Sequence, residues 1–389
     1  MGKTVVSLVS DQTIPNVMFI KANADAERLV FITTEGMEKK QRTDWILKSL
    51  MANGAGKIIA NKADKINVSE QSISEIQAEL DKYPFFYEGA EILVNLTGGN
   101  KIMSLAAYEF FKEKSLQVQN NISMYYLNVG KDKFDKVFPS EQKNCICSGH
   151  CNLKEYLTAY SIDEEKTGKL PLMKFEKTQE FYANTFETEK NAINALHAGL
   201  SEKNNSRFFN KHNKLPEELS NDQNISRLFQ KTFGNSESNK ATIHYLRGGW
   251  FEEYVYFLIK RGLKLNKKQI CLNLKIEDKS LSGKAVPNEL DVIFIYKNKI
   301  NIIECKTGLK SEGGVNILQE VLYKQSALKK GFGLTAKSFL FLPNVNVLSG
   351  NKVSGNKERA EIFGIDIVDD KEMLLNEDRF KKEFLERFA

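Results

Sequence analysis

Apolar residues in the first third of the chain come in short runs. TVVSLVS (4–10), LVFITT (29–34), KIIAN (57–61), EILVNLT (91–97) and ISMYYLNV (122–129) are rich in Val, Ile and Leu, as buried strands are. The stretches between them, such as 38–52 and 70–82, have the apolar spacing of helices. Strands alternating with helices predict a parallel sheet covered on both faces, so residues 1–150 are expected to form a Rossmann-like α/β domain. From 153 to about 200 the spacing is helical, while 201–214 (SEKNNSRFFNKHNK) and 234–240 (GNSESNK) are polar and linker-like. Residues 151–245 are therefore expected to be a mainly helical connector. The remainder, 246–389, has a helix at RGGWFEEYVYFLIK (247–260), strands within 289–305, a helix at 317–333, and strands at KSFLFLP (337–343) and IFGIDIV (362–368). That suffices for a second α/β domain.

In the segment ELDVIFIYKNKINIIECKTG (289–308), a two-residue turn at Lys297 and Asn298 pairs 296 with 299 and 294 with 301, and brings Asp291 opposite Glu304. Asp291, Ile293 and Ile295 share one face; Leu290, Val292, Phe294 and Tyr296 share the other. Both faces are largely apolar, as in a central, covered pair of strands. Two carboxylates opposed across a ladder lie about 5 Å apart at Cβ. Burying them together is costly unless a cation compensates. Mg²⁺ or Mn²⁺ takes oxygen ligands of this kind, and Lys306, two residues beyond Glu304, projects to the same place.

The first domain offers a different chemistry. SDQTIPN (10–16) follows the first strand, and LTGGNKIMSLAAYEFF (96–111) runs from a strand through a Gly-Gly turn into a helix. Ligands of open α/β sheets collect at such strand ends. Glycines admit a close ligand, a helix N-terminus presents free N–H groups, and Lys101 adds a cation. A glycine turn that merely packs strand on helix has the same appearance. The pattern is neither GxGxxG nor a Walker loop, so a dinucleotide cofactor and ATP hydrolysis gain no support.

Composition narrows this picture only a little. With 389 residues, two or three domains are expected. A net charge of +6, from 56 basic and 50 acidic residues, allows a polyanionic partner without requiring one. No run of about 18 apolar residues suggests a membrane span, and five cysteines do not suggest a disulfide framework, so a reducing cytoplasm is expected. Cys145, Cys147, His150 and Cys151 are cramped for one tetrahedral ion, and a strand and turn with buried thiols is the preferred reading. His197, His212 and His244 receive no chemical role. On the helix at 317–333, Lys324, Lys329 and Lys330 could meet phosphates or simply form a wet face.

VSLVSDQTIPN followed by LTGGNKIM resembles the CARF domain of type III CRISPR ancillary proteins. The resemblance implies a cyclic oligoadenylate, with cyclic tetra-adenylate the expected ring, bound across a homodimer axis by Ser10, Gln12, Thr13, Thr97, Gly98, Gly99, Asn100 and Lys101. Thr33 and Thr34 are weaker candidates. The pattern Asp291, Glu304, Lys306 resembles the PD-(D/E)xK nuclease superfamily, with a loose counterpart of its proline at Pro287. That resemblance implies a restriction-endonuclease-like fold for 246–389. Asp291, Glu304 and the Cys305 carbonyl would hold Mn²⁺ or Mg²⁺, and a carboxylate would come from the preceding helix. Glu252 fits best there and Glu253 is the alternative. Together the two resemblances imply a cyclic-oligoadenylate-activated endonuclease acting on single-stranded RNA and DNA. A constitutive restriction- or repair-type DNA endonuclease, dimerising through its N-terminal domain, is the competing expectation.

Overall fold

The computed structural model describes residues 2–52, 63–84, 91–117, 121–140, 145–147, 149–166, 168–278, 288–308, 317–345 and 353–388. Two sheets organise them. The first runs in the order β3 (Ala63–Asn67), β2 (Arg28–Thr33), β1 (Lys3–Leu8), β4 (Glu91–Asn95), β5 (Ile122–Leu127), β6 (Lys133–Phe138), β7 (Cys145–Cys147). From β3 to β5 the strands are parallel; β6 and β7 continue antiparallel. This is the expected Rossmann-like layer. Helices α1 (Ile14–Ala22) and α2 (Lys101–Gln117) follow β1 and β4, which are hydrogen-bonded neighbours. The chain order reverses at this pair, which opens a crevice at its C-terminal end.

The second sheet runs in the order β13 (Ile365–Val368), β12 (Lys337–Phe341), β11 (Lys299–Cys305), β10 (Asn288–Tyr296), β9 (Ile270–Asp278), β8 (Ile162–Lys166). Its two central strands are the predicted hairpin. Val292 pairs with Ile303, Phe294 with Asn301 and Tyr296 with Lys299, the expected register. Lys297 and Asn298 both take positive φ, 48° and 58°, as a tight two-residue turn between right-twisted strands requires.

One buried cluster packs Val292, Phe294, Ile303, Phe339 and Phe341 against Trp250, Tyr254 and Val255 of helix α3 (Trp250–Gly262). Phe181, Leu196, Leu228 and Phe229, from the connecting region, belong to the same cluster. A second cluster packs Ile293, Ile295, Ile300 and Ile302 with Tyr156, Tyr160 and Phe332, and continues into Val5, Phe19 and Phe31 of the first sheet. The two sheets are thus joined through a continuous apolar interior rather than a tether. Helix α4 (Ile317–Gly331) covers β12 through Leu318 and Leu322.

Several expectations are corrected. The stretch 201–214 is not a linker: Lys203–His212 is a helix, and its Asn205 is buried and donates to the Gly199 carbonyl. Within the mainly helical span 151–245 the sequence showed no strand, but Ile162–Lys166 is an edge strand on β9. Residues 38–52 form parts of two helices, separated at Gln41, whose φ is 54°. Leu290 packs in the second cluster while Val292 packs in the first, so the expected common face is broken between them. Asn273, opposite Asp291 on β9, has a φ of 50°. That kink rolls the strand pair and explains the change of face. Cys145 is exposed and does not fit the buried-thiol reading; Cys151 is buried and does. The strand expected at 57–61, and Pro287, lie outside the described residues.

Candidate active site and ligand cavity

The hairpin carries Asp291 and Glu304 to its open end, both buried, at 9% and 4% exposure. Asp291 Oδ2 accepts from the Cys305 backbone N–H at 2.7 Å. Lys306 Nζ lies 2.7 Å from Glu304 Oε1 and 3.8 Å from Asp291 Oδ2. Lys324 of α4 reaches the same Glu304 oxygen at 3.8 Å. Lys329, by contrast, donates to the Gly364 carbonyl.

Helix α3 presents two neighbouring carboxylates with different fates. Glu253 accepts from the backbone N–H groups of Leu172 and Met173, at 2.7 and 3.1 Å. Glu252 turns toward the hairpin, where Asn273 Nδ2 donates to it at 2.7 Å. This separates the two candidates: Glu253 is committed to holding a loop, and Glu252 is electrostatically coupled to Asp291.

The charges explain why the place is unusual. Burial, then repulsion from Glu304, pushes the Asp291 carboxyl up to about 7, against the pull of Lys306. Burial, then Asp291, pushes Glu252 up to about 8. Burial works against the Lys306 ammonium, but Asp291 and Glu304 more than offset it, and its pKa is raised. Burial keeps the Cys305 thiol protonated, so this residue offers a carbonyl rather than a thiolate.

Among the described residues, no three His, Cys, Asp or Glu side chains surround one point. The donors the site offers are the carboxylates of Asp291 and Glu304, with the Cys305 carbonyl as the further ligand that the resemblance implies. Asn273 Oδ1, buried and unpartnered, adds another oxygen beside Glu252. All these donors are hard oxygens, and the raised pKa values of Asp291 and Glu252 show that their ionised forms are costly without a cation. Mg²⁺ or Mn²⁺, which keeps several waters, fits such a set; zinc, with its nitrogen and sulfur ligands, does not.

A cavity of ≈ 490 Å³ opens at the crevice of the first sheet. Ser10, Gln12, Thr97, Gly99 and Asn100 line it, as does Thr34. Thr13, Gly98 and Lys101 do not. Thr13 is fully buried and donates to the Ala159 carbonyl at 2.6 Å. Gly98 passes so near β1 that a Cβ would sit 1.9 Å from the Leu8 carbonyl oxygen. Gln12 is engaged as well: its Oε1 accepts from Tyr160 and from the Leu334 backbone N–H. Beneath the cavity, Asn16 and Asn95 both donate to Ser7 Oγ and fix the two loops together.

The sequence did not suggest that the second domain shares this cavity. Lys297, Asn298, Lys299, Leu334 and Thr335 belong to its wall. The turn is pinned there, since Asn298 Oδ1 accepts from Cys151 N–H at 2.8 Å and Nδ2 donates to the Gly149 carbonyl at 3.1 Å. From Asn298 to Asp291 the strand runs seven residues, roughly 23 Å at about 3.3 Å each.

Residues 4–156 match the family model of the Card1 CARF domain, and residues 239–388 match that of the Card1-like endonuclease domain. The chain belongs to the Card1-like CARF endonucleases. The resemblance drawn from the two sequence patterns therefore stands, as do the fold class and the nuclease reading in its coarse form. No curated protein matches the chain. Among solved structures, Can2 from Sulfobacillus thermosulfidooxidans, in complex with cyclic tetra-adenylate, is 21% identical with a TM-score of 0.71, each chain 98% covered. Protein VC1899 from Vibrio cholerae is 18% identical with a TM-score of 0.75, covering 99% of this chain and 98% of that one. A type III CRISPR defence DNA nuclease activated by cyclic oligoadenylate is 17% identical with a TM-score of 0.51, covering 88% of this chain and 46% of that one. These likenesses concern the fold.

Proposed function

We propose that this Card1-like CARF endonuclease is metal-dependent, is activated by cyclic tetra-adenylate, and cuts single-stranded RNA and DNA in type III CRISPR defence. One observation carries the reading: a single hairpin lines the sensor cavity with its turn and ends, at its other extremity, in Asp291, Glu304 and Lys306. Cyclic tetra-adenylate in the cavity would touch Lys297 and Lys299 as well as the two CARF loops. A ligand shifts a conformational equilibrium only through contacts that differ between states, and a turn shared by both domains supplies such contacts. The exposed apolar residues Tyr126 and Val129 line the same cavity, and a second copy of the chain closing over them suits the homodimer implied by the family.

At the nuclease centre, Asp291, Glu304 and the Cys305 carbonyl would hold Mn²⁺ or Mg²⁺. The ion, when bound, supplies a Lewis acid beside the scissile phosphate. Asp291 and Glu252, whose carboxyls burial pushes up, would have to be ionised for the ion to be held beside them. The Lys306 ammonium, held by Glu304, faces the charge that develops on the phosphate, and Lys324 adds a second cation. Glu252 positions Asn273 and completes the acidic wall.

The test is cleavage of labelled single-stranded RNA and DNA in Mn²⁺ with cyclic tetra-adenylate. Glu304→Ala and Lys306→Ala are each expected to lose about 10²-fold or more in rate while still binding cyclic tetra-adenylate. Full activity in either variant would move the chemistry elsewhere.

A further inference from the structure

Next to the nuclease centre, and sharing Glu252 with it, lies a second feature. Two cavities, of ≈ 450 and ≈ 260 Å³, share Lys240, His244, Gly249 and Glu252 in their walls. The smaller one adds Phe209 and Arg247. Among the described residues neither Arg247 nor Lys240 has an ion-pair partner, and Arg247 Nε is buried with no hydrogen bond. Burial holds the guanidinium below its ordinary pKa. A partly buried, unpaired guanidinium is costly, and an anion arriving from solvent removes that cost.

The backbone delivers Arg247 here by an unusual route. The helix ending at Tyr245 and Leu246 and helix α3 meet at a kink at Gly248, whose φ of 137° only glycine adopts readily. Gly249 is tightly placed, since a Cβ there would lie 2.6 Å from His244 Nδ1. Gly248 faces Thr307, the residue after Lys306, with 3.5 Å from its Cβ position to Thr307 Oγ1. The kink therefore spans from the Lys306 loop to Glu252. Phe209, half-buried and packed against the apolar core, adds an aromatic ring to the wall of the smaller cavity. The smaller cavity therefore has Lys240 and Arg247 on its wall, Glu252 at the end nearest the nuclease centre, and an aromatic ring; cations beside an aromatic wall are what a single-stranded polynucleotide uses, phosphate on the cations and base on the ring.

We infer that Arg247 and Lys240 form a subsite for a backbone phosphate of the substrate strand, next to the scissile one, with the adjoining base against Phe209. The inference rests on the nuclease reading above and gives that site a direction for its substrate.

The test measures binding, not cleavage. In a Glu304→Ala background with cyclic tetra-adenylate present, labelled oligothymidylate is titrated by fluorescence anisotropy over a range of salt. Arg247→Gln and Lys240→Gln are each expected to weaken binding by about tenfold and to lower the slope of log K against log salt by about 0.7. Arg247→Lys, which keeps the charge, is expected to keep most of the slope. Unchanged slopes in both glutamine variants, with intact cyclic tetra-adenylate binding, overturn the subsite and leave the nuclease reading in place. Should Arg247→Gln fail to fold, the exposed Lys240→Gln decides alone. A parent protein that binds no oligothymidylate overturns the subsite and the nuclease reading together.

Discussion

Asp291→Asn probes the carboxylate pair without relying on catalysis. In the metal-free protein, burial and Glu304 push the Asp291 carboxyl from its ordinary 3.8 to about 7. A carboxyl raised in this way binds its proton more tightly when folded than when unfolded. Its contribution to stability is fully present below pH 3.8, falls as pH rises through the window, and is lost above about 7. Some three units at about 1.4 kcal/mol each make the full loss on the order of 4 kcal/mol. Raising the pH from about 5 to about 8.5 crosses two of those units, or roughly 3 kcal/mol. Asparagine carries no charge at either pH, and its Oδ1 can still accept from the Cys305 N–H. For a 389-residue chain that unfolds as one unit, the gap in melting temperature between variant and wild type should therefore widen by about 3–5 °C between the two pH values. Thermal unfolding in EDTA measures it. A gap that stays constant with pH, or a variant that melts no higher than wild type at the alkaline end, would refute the reasoning. Adding Mn²⁺ should raise the melting temperature of the wild type and not that of the variant.

Asn298→Gly keeps the positive φ of the turn but leaves the Cys151 N–H without its acceptor; activation by cyclic tetra-adenylate is expected to weaken several-fold while its binding changes little, as a comparison of rate and binding titrations would show. Gly98→Ala drives a Cβ into the Leu8 carbonyl and should abolish cyclic tetra-adenylate binding in a calorimetric titration, along with a fall in melting temperature. The Cys151 thiol, buried and pushed up to about 12, should resist iodoacetamide at neutral pH in the native protein, whereas the exposed Cys145 should react; peptide mass mapping distinguishes them.

The sequence made some features plain because they rest on local rules. The register of the hairpin follows from a two-residue turn, and with it the approach of Asp291 to Glu304 and Lys306. The parallel sheet follows from apolar runs separated by helices. Elements whose stability comes from elsewhere stayed hidden. Ile162–Lys166 is a charged edge strand, held by one neighbour, and lacks the alternation of a half-buried strand. Lys203–His212 is so polar that only its packing beside the helix Lys190–Ser201 reveals it as an element. The same holds within the sites. Asn273 was missed because one Asn among the apolar alternation of ICLNLKIED reads as a plain strand residue, although Asn is one of the few side chains that tolerate a left-handed φ; that kink aims its amide at Glu252. Thr13 carries a hydroxyl in the right loop, but the chain path turns it inward to Ala159. Lys297 and Lys299 read as ordinary turn charges, since contact between the domains is a property of the tertiary packing alone.

The central claim is that the cavity and the carboxylates are one switch. The rate of cleavage of a labelled single strand in Mn²⁺, followed as cyclic tetra-adenylate is added, addresses it most directly. The account predicts almost no cleavage without the messenger and a rise that saturates together with its binding. An equal rate with and without cyclic tetra-adenylate would contradict the account and identify a constitutive endonuclease.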